Sequence, residues 1–239
     1  NEKDCFSEYA RTCESFRQIC LEELDLRTAH SPGSHCGVES LVSFHAKQIS
    51  FDTVTDWTRF DIFEFAASCE AGDLFPQLFF TLYGSGGFDC VDKLNISKDS
   101  LTTCLRHAQS SYENPFQAGS FNFYHNALHG ADVMCSSTSL VMQLDLKWLS
   151  DEAFSPLMKF ALGISALLHD YRHPGVNATF LKASGHPLVA EYPSGTLEHM
   201  HAAEALLLLE KFGILDAFVD RSERVHFRHT VTSLILSTD

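Results

Sequence analysis

A chain of 239 residues, 45% of them apolar, can bury a large core and is excluded from the disordered class. Its 17 Lys and Arg against 31 Asp and Glu leave a formal charge of −14, which argues against a nucleic-acid or anionic-membrane binder and admits an anionic small substrate only where local cations overcome the field. No apolar run approaches the ~18–20 residues that span a bilayer, and the charged start NEKDCFSEYARTCE does not read as a secretory signal.

Helical periodicity dominates and strand signals are poor. Residues 5–26 carry apolar or thiol positions at helical spacing and end in a loop around Pro32. The stretch with Phe44, Ile49, Phe51, Val54 and Trp57 carries no clear period. Residues 58–71 predict a helix and 72–83 a second, with Asp73 near its start; a loop follows to Asn95. Ser97 caps a helix over 98–112, ENPFQAGS is a loop, and a long helix runs from about 126 to 144. Pro156 opens the apolar helix PLMKFALGISALLHD. Thr196 opens LEHMHAAEALLLLEKF, which Gly213 terminates, and residues 216–238 supply one or two more helices. The expectation is one compact all-α domain without repeats or linkers. Eight cysteines, none in a CxxC pair, read as reduced and mostly buried thiols of a cytoplasmic protein. The Asn-x-Ser/Thr triplets at Asn95 and Asn177 read as chance matches.

Histidine placement carries the chemistry: seven of the thirteen lie between positions 125 and 201. In FYHNALHGADV, Asn126 is a good helix cap, so His125 falls just outside the helix and His129 one turn inside. That suits His129 to rigid metal ligation and His125 to freer proton transfer, with Gly130 and Ala131 leaving room for an ion. In HDYRHPGVNATF, His169 and Asp170 emerge from the C-terminal end of an apolar helix, where the dipole favours cations. Pro174 disfavours helix at His173, which turns back over that end. In LEHMH, Glu198 and His201 share a helical face while Leu197 and Met200 point to the core; the last residues offer Thr238 and Asp239. Each patch alone is commonly a solvated helix face or a turn. Together they supply the imidazole and carboxylate mixture wanted by zinc and a harder second metal.

The patches YHNALHGADV and HDYRHPGVNATFL, followed by LEHMH, resemble the catalytic domain of the class I cyclic nucleotide phosphodiesterases. The family pattern is filled by Tyr124, His125, Asn126, His129, Asp132, Val133, His169, Asp170, His173, Gly175 and Asn177. The likeness runs from about residue 55 to the end. It implies a multi-helix bundle with a deep two-metal pocket, in which His129, His169 and Asp170 hold zinc. Asp170 would also bridge to a second ion, magnesium or manganese, whose waters are ordered by His173, Glu198 and Thr238. His125 would be the general acid beside the substrate, with Tyr124 lining its pocket. The implied reaction is hydrolysis of cyclic AMP or cyclic GMP to the 5′-monophosphate, with a metal-activated hydroxide attacking phosphorus and His125 protonating the leaving 3′ oxygen.

The family's remaining zinc aspartate, its purine-binding glutamine and its clamping phenylalanine fall after Asp239. Residues 1–54 are accordingly expected to be an N-terminal helical extension and 55–239 the first two thirds of a catalytic domain, weak or inactive alone, with regulatory domains upstream in the parent. His199-Met200 replaces the Asn-His of many relatives, a lesser departure. The alternatives are a non-catalytic, metal-bound helical regulatory module and a more general His-Asp metal phosphohydrolase. A carboxylate-bridged di-iron bundle needs Glu-x-x-His on two helices, and only Glu198-His201 fits.

Overall fold

Short polar side chains open many of the helices. The computed structural model describes residues 49–56, 58–113, 122, 124–143 and 154–238. All of them lie in one unit, Ala46–Asp239. The expectations for residues 5–26, the loop at Pro32, four of the cysteines, the loop ENPFQAGS and Asp239 fall outside the described residues.

Every regular element among the described residues is helical. In chain order these are α1 (Phe51–Thr55), α2 (Ile62–Ser68), α3 (Leu74–Tyr83), α4 (Cys90–Lys93), α5 (Lys98–Glu113) and α6 (Ala127–Gln143). Then come α7 (Pro156–Leu168), α8 (Ala178–Ser184), α9 (Pro187–Glu191), α10 (Thr196–Lys211), a 3₁₀ turn (Ile214–Ala217) and α11 (Arg221–Leu236). Ser155 caps α7 through the Met158 amide, with Pro156 at its first position, and Asn177 caps α8 through the Phe180 amide. Gly213, at φ 70°, ends α10 in the left-handed conformation that glycine adopts without strain. The helix expected over 58–71 is shorter because Asp61 caps it through the amides of Phe63 and Glu64. Asp73 sits at the start of α3 without capping it. Its carboxylate accepts from Arg106 Nε at 2.7 Å, and Gln109 Oε1, reaching across from α5, accepts from the Phe75 amide instead.

The axis of the bundle is α7. Leu157, Phe160, Ala161, Gly163, Ile164 and Leu167 are buried all around it, as expected of a helix with no solvated face. It packs against α3, α4, α6, α10 and α11. The core is closed by Phe79 stacked on Tyr83 at 4.9 Å, by Phe160 on Phe227 at 5.7 Å, and by the buried hydrogen bond between the Tyr83 and Thr138 hydroxyls at 2.7 Å. Gly130 serves this packing rather than an ion: a Cβ there would lie 3.0 Å from the Leu167 carbonyl oxygen of α7. The expected room for a metal beside His129 is thus a helix–helix approach.

Candidate metal centre

The C-terminal end of α7 delivers His169 and Asp170 to a cavity of about 600 Å³. The His169 ring is set by its Nδ1–H, which donates to the Ala166 carbonyl at 2.9 Å, so Nε2 faces Asp170 Oδ2 at 3.1 Å. Asp170 is itself held from α5. The Tyr112 hydroxyl donates to the Leu167 carbonyl at 2.9 Å and accepts from the Asp170 amide at 3.2 Å. His129 approaches from the first turn of α6, where Asn126 Oδ1 accepts from its amide at 3.1 Å; its Nε2 is 3.4 Å from Asp170 Oδ2.

The short turn after Asp170 brings in His173, whose amide donates to the Asp170 carbonyl at 3.0 Å. Its Nδ1 accepts from the Gly175 amide at 3.0 Å, which puts the proton of the neutral ring on Nε2. His173 therefore presents a donor to the cavity, as a residue acting through water would. His125 stacks on it with ring centres 3.8 Å apart and planes within 8°. The His125 amide also donates to Asn122 Oδ1 at 3.1 Å. The freer imidazole expected outside the helix is in fact held by stacking, because the turn at His173 folds back over it.

His201 is the residue that the sequence reading left out of the site. It enters from α10, buried, with Nδ1–H donating to the Tyr171 carbonyl at 2.7 Å. Its Nε2 carries the bare lone pair, is fully buried, has no hydrogen-bond partner and stands 3.8 Å from Asp170 Oδ1. The signal is its i, i+3 pairing with Glu198, which puts both on one helical face without assigning His201 a role. Tyr112 had no local signal beyond an apolar stripe.

Burial opposes charge on Asp170, but hydrogen bonds from His129 and His169 and the charge of His169 hold its pKa well below the usual carboxylate range. Burial likewise opposes a proton on His169, yet the adjacent Asp170 carboxylate raises its pKa overall. Burial, then the neighbouring imidazoles, depress His173 to about 4, and burial depresses His201 to about 4. His125 is lowered mainly by burial. The centre is thus an anionic carboxylate ringed by mostly neutral imidazoles. Two overlapping triads, His129–His169–Asp170 and His125–His173–Asp170, each hold their ligand atoms within 4.8 Å of one another. The donor set, together with the unpartnered Nε2 of His201, fits divalent metal ions.

Glu198, Thr238 and the exposed ring of Tyr124 line the same cavity, so His125, His129, His169, Asp170 and His173 are joined there by the other site residues expected among the described ones. The Thr238 hydroxyl donates to the Ile235 carbonyl at 2.7 Å, leaving its lone pairs as acceptors. Asp132 points to solvent and lines nothing here, whereas Val133 is at the cavity wall. His199 turns away, its Nδ1 donating to the Gly195 carbonyl at 2.8 Å, and Met200 is in the core.

The segment holding these patches, residues 124–239, matches a family model described as 3′5′-cyclic nucleotide phosphodiesterase. It belongs to that family. Similarity to phosphodiesterases extends over more of the chain. A 3′,5′-cyclic-AMP phosphodiesterase 4 of Dictyostelium discoideum is 28% identical over 81% of this chain and 17% of its own length. A dual specificity calcium/calmodulin-dependent 3′,5′-cyclic nucleotide phosphodiesterase 1 of Drosophila melanogaster is 32% identical over 77% of the chain and 21% of its own. A human high affinity cAMP-specific and IBMX-insensitive 3′,5′-cyclic phosphodiesterase 8A is 28% identical over 77% and 21%. The chain thus spans about a fifth of the length of these phosphodiesterases. The described part of this segment brings His125, His129, His169, Asp170, His173 and His201 around one cavity.

Proposed function

We propose that this domain hydrolyses 3′,5′-cyclic nucleotides to 5′-nucleoside monophosphates at the cavity around Asp170. The observation that carries the reading is the convergence of His129, His169 and Asp170 from α6 and the end of α7, with the His125 ring beside them. His129, His169 and Asp170 would hold zinc, and Asp170 would share a second ion, magnesium or manganese, with waters ordered by His173, Glu198 and Thr238. When bound, two such ions supply an activated water nucleophile and neutralise the phosphodiester charge.

The chain's own groups do the rest. The Nε2–H of His173 can orient a water oxygen, and the buried Nε2 of His201 can accept a hydrogen bond from one. His125 donates a proton to the departing 3′ oxygen. Its pKa is lowered by burial, and an anionic phosphate oxygen arriving beside it favours the protonated ring. Stacking on the neutral His173 fixes its orientation at little electrostatic cost. The net charge of −14 makes cation binding at this cavity a precondition for admitting an anionic substrate.

The four described cysteines are unpaired, which fits a reducing compartment such as the cytoplasm. No described helix is long and apolar enough to cross a membrane. The greater length of the relatives leaves room for regulatory domains in the parent protein.

The test is His125→Asn, with zinc content and hydrolysis of cyclic AMP and cyclic GMP measured on the same preparations of the parent protein. The expected result is unchanged zinc and turnover lower by about 10²–10⁴. Loss of zinc in this variant would make His125 a ligand through the second triad and defeat the acid assignment.

A further inference from the structure

The turn that carries Asp170 and His173 contains a conformation its sequence does not favour. Arg172 adopts φ 61°, left-handed backbone that glycine, asparagine or aspartate takes readily and a long side chain does not. Such strain persists only where the surroundings over-determine it. Here the surroundings are α10. Arg172 Nη1 donates to Glu204 Oε2 at 2.9 Å, and the Glu204 side chain is only 8% exposed. Residues Glu198, His201 and Glu204 follow one another at i, i+3 spacing along one face of that helix. The first lines the cavity, the second donates to the Tyr171 carbonyl, and the third grips Arg172. Two consecutive residues of the turn are therefore fastened to α10, directly between the two site residues Asp170 and His173.

We propose that Arg172 and Glu204 are positioning residues, an ion-paired strap that holds the Asp170–His173 turn against α10 and sets how tightly the site retains a divalent ion. The strap rests on the metal-centre reading and deepens it. A carboxylate buried this far needs its cation, and the planar guanidinium reaches it while keeping the turn wound. Without the pair, the left-handed residue loses its ion-paired tie to α10, and the turn between Asp170 and His173 is held there less firmly. Neither strap residue lines the cavity.

The experiment measures Mn²⁺ binding by the zinc-loaded chain, using the electron paramagnetic resonance signal of free Mn²⁺ at fixed pH and salt. The panel is wild type, Arg172→Ala, Arg172→Gly, Arg172→Lys and Glu204→Gln, each checked for unchanged helical circular dichroism. Supporting partners of metal ligands are worth about 10–100-fold in affinity. Arg172→Ala, Arg172→Gly and Glu204→Gln should each weaken Mn²⁺ by about tenfold or more, and Arg172→Lys should recover part of the loss. Arg172→Gly is the decisive variant, because it removes the backbone strain along with the strap. Wild-type affinity in Arg172→Gly, or in Glu204→Gln, overturns the strap. A wild-type chain that binds neither Zn²⁺ nor Mn²⁺ overturns the metal centre itself.

Discussion

Replacing Gly163 by alanine tests whether α7 is packed as tightly as its central position implies. A Cβ at Gly163 would lie 2.6 Å from Tyr83 Cε2 and Cζ and 2.9 Å from Cε1. Ordinary carbon contacts are about 3.5–4.0 Å, so roughly 1 Å must be absorbed. Tyr83 has little freedom to absorb it: its ring is fully buried and stacked on Phe79, and its hydroxyl is bonded to Thr138. Overpacking costs about 1–3 kcal/mol, and a broken buried hydroxyl bond adds about 1 kcal/mol. The better helix propensity of alanine returns about 1 kcal/mol. The net expectation is a loss of about 1–3 kcal/mol, which lowers the melting temperature by about 3–10 °C in a domain of this size. Thermal unfolding followed by circular dichroism at 222 nm measures it. In a Tyr83→Leu background the obstacle is gone and the same change should be neutral or stabilising. A higher melting temperature for Gly163→Ala in the wild-type background would refute the packing argument.

Two other outcomes follow from buried and capped groups. Burial pushes the Cys90 and Cys104 thiols up to about 12 and raises Cys135 as well, so almost no thiolate exists at pH 8. Mass spectrometry after iodoacetamide treatment of the native protein should show the half-buried Cys69 modified before these three, which react only on unfolding; rapid labelling of Cys104 would contradict the buried assignment. Asp220 caps α11, and hydrogen bonds from the Ser222 hydroxyl and then the amides of Glu223 and Ser222 lower its pKa. A carboxylate depressed on folding contributes stability that is complete above its unfolded value of about 3.9 and is lost as pH falls through the folded value. The advantage of wild type over Asp220→Asn in urea midpoint should therefore be largest above pH 5 and shrink toward pH 2; a constant difference would rule out the carboxylate's part.

The site was readable to the extent that its information is local. Asn126 capping the amide of His129, Ser155–Pro156 opening α7 and Pro174 turning the chain after His173 all act within a few residues, so their pattern survives in one dimension. The two histidine patches also carry the family likeness, which is why His129, His169, Asp170 and His125 could be named together. The same locality explains the errors. The start of α3 is capped by Gln109, 34 positions away from Phe75, and no window along the chain contains both.

What the linear order determined is the longer helices and the candidate site residues, because periodicity, caps and breakers are short-range effects; the short α1, α8 and α9 were not legible in it, and α4 lies where a loop to Asn95 was expected. What only the tertiary structure decided is the use made of space and lone pairs. Gly130 and Gly163 are small for the sake of facing elements, not an ion. His201 turns its bare nitrogen on Asp170 because the Tyr171 carbonyl holds the other, and Arg172 is wound left-handed against Glu204, 32 residues later. Those outcomes depend on distances between segments, and distance through space is set by the packed core rather than by neighbours along the chain.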